Sequence, residues 1–132
     1  MNIEESLQKA KQFISAEQLD EARMCLLEIL KEEPTNKTAL IMLGGSYYSM
    51  EKFAEAEMVF ERLILLEPDI GQFSIGLFNA LWRMNRQEEA LEEIKRFLSN
   101  ADHEAEKETI AQYIAIINRI EDGNSLDDDS IG

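Results

Sequence analysis

The sequence predicts an all-α protein: three helical hairpins of equal length stacked in a row and closed by one more helix. Three observations carry that expectation. Pro34 and Pro68 stand 34 residues apart, each ending an amphipathic run that closes in Glu-Pro. The segments Glu-Gln-Leu-Asp-Glu-Ala (17–22), Glu-Lys-Phe-Ala-Glu-Ala (51–56) and Asn-Arg-Gln-Glu-Glu-Ala (85–90) align at that same spacing without a gap. Between them, apolar residues recur at helical intervals, as in Leu40, Leu43 and Tyr47, then Phe60, Leu63 and Ile64.

These signals divide the chain into units at about 3–36, 37–70 and 71–104. Proline ends a hairpin because it lacks an N–H for the helical ladder and biases the preceding residue away from the helix. Within unit two the first helix is expected from Lys37 to about Met50 and the second from Phe53 to Leu66, with the other units following by offset. A further segment, about 105–121, carries Ile110, Ile114, Ile117 and Ile120 at helical spacing. It reads as a capping helix, since a terminal repeat otherwise leaves an apolar face in water. Residues 122–132 form an acidic tail with almost nothing to bury, for which composition predicts mobility.

Across about 3–121 the chain resembles the tetratricopeptide repeat family, whose unit is 34 residues long. The family pattern places a large apolar residue, Leu-Gly and an aromatic in the first helix, then Ala, an aromatic and a closing Pro. Unit two matches at Leu40, Leu43, Gly44, Tyr47, Ala56, Phe60 and Pro68. Gly44 and Ala56 let the two helices of the hairpin approach closely. Unit one keeps Ala10, Phe13, Ala22, Leu26 and Pro34 but has Lys9 in place of Leu. Unit three keeps Leu77, Ala90 and Ile94, with Phe78 in place of Gly and Asp102 in place of Pro. Phe78 implies either a widened third hairpin or a special contact with the last helix; the second is preferred, with Phe78 beneath Ile110 and Ile114. The resemblance implies three helix–turn–helix repeats plus a C-terminal capping helix in a right-handed α-solenoid.

In this family the first helices line a concave groove, so the resemblance implies that partners dock there. The positions it projects are Leu7, Lys11 and Ile14 from unit one, and Ile41, Gly45, Tyr48 and Ser49 from unit two. Unit three supplies Ile75, Asn79, Trp82 and Arg83, and the last helix adds Tyr113. Tyr48 and Trp82 recur at one offset beside Arg83, a composition typical of interaction hot spots, although aromatics also seal one repeat against the next. Family members that clamp the acidic tails of heat-shock chaperones place lysines where this chain has Leu7, Ile41 and Ile75. With only Asn79 and Lys11 compatible, that clamp is absent. An apolar groove on an acidic body suits a basic or amphipathic partner segment instead.

Composition bounds the rest. A net charge of −14, from 27 acidic and 13 basic residues, disfavours nucleic acid and anionic membrane surfaces. No apolar run is long enough to span a bilayer, the N-terminus lacks the features of a signal peptide, and a lone cysteine, Cys25, cannot form an internal disulfide. These point to a cytoplasmic protein. Signals for chemistry are weak. Glu88/Glu89 and Glu92/Glu93 read as a solvated ridge with Arg86, Lys95 and Arg96, and His103 with Glu106 as a helix start. Cys25 reads as a small buried group, and Asp127–Asp129 lack the glycine and distal glutamate of a calcium loop. No enzyme activity, cofactor or metal is expected. The leading expectation is a binding module that sequesters or escorts a protein partner, as a chaperone or adaptor. The alternatives are an immunity protein neutralising a basic toxin domain and a self-associating scaffold.

Overall fold

The computed structural model describes residues 1–123, and its helices are α1 (Ile3–Ser15), α2 (Leu19–Glu32), α3 (Lys37–Ser49), α4 (Phe53–Leu66), α5 (Gly71–Arg83), α6 (Gln87–Asn100) and α7 (Lys107–Glu121). Among the described residues there is no strand. The acidic tail expected at 122–132 lies outside the described residues from 124 onward.

Local chemistry explains where the helices start and turn. Asn2 and Asn36 cap α1 and α3, each side chain accepting from the backbone N–H three residues on, at 3.1 and 2.9 Å. Each hairpin reverses through one residue in the left-handed region: Glu17, Glu51 and Asn85, with φ of 58°, 60° and 60°. One such residue breaks the first helix and lets the second start two residues later, which is why the turn motifs align so well.

First helices begin at 3, 37 and 71, but α7 begins at 107, so the last step is 36 residues rather than 34. The segment before α7 is longer because Asp102 replaces the expected proline. Its carboxylate accepts from the N–H groups of Glu104 and Ala105 at 2.9 and 2.8 Å, forming an extra turn. The capping helix therefore starts two residues later than expected.

Each helix packs on its chain neighbours through α6, and the first helices α1, α3, α5 and α7 also touch in sequence as a row. The core runs along the stack through Leu26, Ile29, Leu40, Leu63, Phe78, Ile94 and Phe97. Phe60 is its tightest wedge. A Cβ added at Gly44 would come within 2.9 Å of the Phe60 ring, and one at Gly76 within 2.4 Å. Both glycines are there for close approach. At the equivalent of Gly44 one period later stands Phe78, and at the equivalent of Phe60 stands Ile94, so large and small partners have exchanged sides.

Phe78 does contact the last helix, but not beneath Ile114, which is 48% exposed. Its ring stacks on Trp82 with centroids 5.6 Å apart and lies 5.9 Å from Tyr113.

Candidate functional site

The expected groove residues fall on consecutive first helices. Lys11, Gly45, Ser49 and Arg83 are exposed, and Leu7, Ile14, Ile41, Tyr48, Ile75, Asn79 and Trp82 are half-buried. Along α3, Ile41, Gly45, Tyr48 and Ser49 share one helical face by their spacing of four, seven and eight residues. α7 touches α5 as α5 touches α3.

At the turn end of that face lies an aromatic–cation cluster that sequence reasoning only half identified. Tyr48 meets Phe53 edge to face at 5.2 Å, and the Arg83 guanidinium lies 4.6 Å from the Phe53 ring centroid and 5.9 Å from that of Tyr48. Arg83 also reaches Glu51 at 3.4 Å. Phe53 was missed because it opens the second helix, and only the turn brings it beside Tyr48. Tyr48 and Trp82 differ in surroundings despite their shared offset: Tyr48 carries the cation, whereas Trp82 stacks on buried Phe78.

Tyr113 is a correction. It is 1% exposed and belongs to the core, so it cannot meet a guest. The reason is the 36-residue last step: counted from α5, Tyr113 stands at the place of buried Leu77 and not at that of Asn79. Its ring packs edge to face on Phe97 at 5.7 Å. Its hydroxyl lies 2.7 Å from Ser74 Oγ, which donates to Glu93 Oε2 at 2.6 Å. Arg96 closes the chain with two bonds to Glu93, at 2.8 and 2.7 Å, and a third to the Pro68 carbonyl at 2.9 Å. Burial pushes the Tyr113 phenol above its usual range, and the hydrogen bonds from Arg96 to Glu93 hold that guanidinium more firmly protonated.

Of the carboxylates expected as a solvated ridge, Glu88, Glu89 and Glu92 are exposed as expected, and Glu93 alone is a correction. Glu93 is buried at 6% exposure, and Glu88, Glu89 and Glu92 face Glu57 and Glu61 of α4 across a cleft of about 630 Å³. Leu77 and Leu81 of α5 also line it, with Arg96 beside Glu93. Packing α4 and α6 on the same α5 creates this arrangement, which no single helix reveals. Arg86 bridges the helices, donating to Glu57 at 2.6 Å and to Glu89 at 2.9 and 2.5 Å. Those bonds to Glu89 and Glu57 raise the Arg86 pKa, and the same contact lowers that of Glu89. Glu61 moves the other way, its pKa raised by burial and then by Glu57. The sequence did hold a signal for the cleft: Leu27, Met58 and Val59 become Glu61, Glu92 and Glu93 one period later.

Among the described residues, no group of three or more His, Cys, Asp or Glu side chains is arranged to hold a metal ion. His103 lies in the turn before α7, and Glu106 accepts from the Gly71 N–H at 3.0 Å. Cys25 is half-buried and donates to the Ser6 carbonyl at 3.3 Å. The Asp127–Asp129 run lies outside the described residues. No described helix is long and apolar enough to cross a membrane.

The profile of the tetratricopeptide repeat matches residues 38–70. No curated protein matches the sequence. Among solved structures, MamA AMB-1 superposes with a TM-score of 0.68 at 22% identity, over 74% of this chain and 54% of that one. A mutant of MamA superposes with a TM-score of 0.67 at 20% identity, over 95% of this chain and 58% of that one. The chain thus spans little more than half the length of these two relatives in structure, and at such identity the likeness is one of fold. The chain carries a tetratricopeptide repeat at residues 38–70 and has the all-helical α-solenoid fold of tetratricopeptide proteins.

Proposed function

We propose that the chain is a non-enzymatic protein-binding module that sequesters or escorts a partner, docking it along the face of α1, α3 and α5. The supporting observation is the row of half-exposed Ile41, Tyr48, Ile75 and Trp82 on neighbouring first helices, with exposed Arg83 at its edge. Apolar and aromatic side chains held on rigid helices beside a guanidinium give affinity at low ordering cost. The guest that fits is an extended or helical segment with apolar anchors and a basic rim, matched to the acidic body. The lone cysteine suits a reducing, cytoplasmic setting.

A second reading is favoured by one observation: the cleft between α4 and α6 carries more carboxylates than its two arginines neutralise. That face would block a basic protein domain, as an immunity protein does. Mass spectrometry of what co-purifies with the untagged protein from its native host supplies the partner for both tests. Under groove binding, Tyr48→Ala weakens the complex by about tenfold or more, with shallow salt dependence. Unchanged affinity would contradict it. Under the second reading, Glu92→Lys weakens the complex and added salt dissolves it.

A further inference from the structure

The row of first helices ends on an open face with its own complementarity. Lys107, Ala111, Ile114, Asn118 and Glu121 of α7 are all exposed, and their spacings of four, three, four and three residues align them as one stripe along the helix. Counted back by the 36-residue last step, the first four correspond to Gly71, Ile75, Phe78 and Trp82 of α5. On α5 two of these positions meet α7 or the turn before it: Gly71 donates to Glu106 of that turn, a Cβ there would meet Thr109, and Phe78 meets Tyr113. On α7 the same positions receive nothing within the described residues. Ile114 stands at their centre, 48% exposed.

We propose that this stripe is a homodimer interface, in which α7 of one copy pairs antiparallel with α7 of a second copy about a two-fold axis at Ile114. The argument is charge order. Lys107 is the first residue of α7 and Glu121 its last, each at the helix end where the macrodipole disfavours its sign. Neither makes an ion pair among the described residues. An antiparallel pair centred on Ile114 sets Lys107 of each copy against Glu121 of the other, Ala111 against Asn118, and Ile114 against itself. The stripe is self-complementary, as an isologous contact requires. The small Ala111 lets the axes approach, and the row of first helices then runs from one copy into the next. This inference does not rest on groove binding.

Sedimentation equilibrium of the 132-residue chain tests it. A single helix pair buries little area, so the expected behaviour is a reversible dimer with a dissociation constant of about 10 µM to 1 mM. Lys107→Glu sets like charges at both ends of the pair and weakens association by about tenfold or more. Glu121→Lys does the same, and the double exchange restores association to within about threefold of the parent. Both positions are exposed, and circular dichroism checks that each variant is folded. A single monomeric species up to about 1 mM overturns the proposal. So does a dimer indifferent to the charge exchanges but lost on Leu98→Asp, which would place the contact in the apolar cleft between α6 and α7.

Discussion

The cleft bounded by α2, α3 and α4 and the one bounded by α4, α5 and α6 use the same positions one period apart, yet their chemistry is opposite. Leu27, Leu40, Met58 and Val59 line the first, which measures about 270 Å³. Their counterparts in the second are Glu61, Ser74, Glu92 and Glu93, and Glu61, Glu92 and Glu93 line an opening of about 630 Å³. Both keep an arginine, Arg62 and Arg96, at the same place. The backbone repeat fixes where side chains meet and leaves open what they are. A carboxylate can be buried at 93 because two hydroxyl-bearing residues extend its network, Ser74 and Tyr113, and the second arrives from α7. Without the longer segment before α7, Ala111 would occupy Tyr113's place. The polar cleft and the irregular last step therefore depend on each other.

The largest expected effect comes from forcing the acidic chemistry into the apolar cleft. Val59→Glu puts a carboxylate where Arg62 can still reach it but where Leu40 stands in place of the serine hydroxyl. Urea unfolding should show a loss of about 3 kcal/mol. Stability equal to the parent would mean that the arginine alone suffices and that the hydroxyls are incidental.

A smaller effect is expected from Tyr113→Phe, which deletes only the hydroxyl that meets Ser74. The ring contacts with Phe78 and Phe97 stay, so the expected loss is about 1 kcal/mol. A loss of several kcal/mol would show that the ring itself is displaced.

The smallest concerns Glu61. Burial and the neighbouring Glu57 hold its carboxyl above the usual value near 4.5. The folded state then binds the proton more readily than the unfolded chain, so this group lowers stability as pH rises from that value through the raised one. Glu61→Gln removes the penalty. The expected gain at neutral pH is at most about 0.5 kcal/mol, because a side chain this exposed is screened by solvent, and it vanishes in acid where the carboxyl is protonated in both states. A gain that grows as pH falls would reverse the assignment.

Much of this architecture was legible beforehand, for a physical reason. Within the first three units every helix start is separated by one period, and Pro34, Pro68 and the turn residues Glu17, Glu51 and Asn85 mark it redundantly. What escaped lies wherever that period fails or where separate helices meet. Asp102 replaces the third proline and adds a turn, which moved Tyr113 from the groove into the core. Glu93 looked solvated because its own helix is acidic, and Ser74 and Tyr113 are 19 and 39 residues from their partners. Phe53 entered the candidate site through the hairpin turn alone. Phe78 was recognised as unusual and its contact with the last helix anticipated, although the residue it meets there is Tyr113.

The central claim is that a guest lies along the row of first helices, and Gly45 offers the cleanest probe of it. This residue is exposed on α3, and a Cβ built there meets nothing within 4 Å. Gly45→Arg therefore fills the face without disturbing the core, and arginine is the better helix former by roughly 0.5–1 kcal/mol. The measurement is affinity for the co-purified partner, read beside the melting temperature. The account predicts that binding is lost while the variant melts at or above the parent temperature. Parent affinity in a variant that melts there would contradict it.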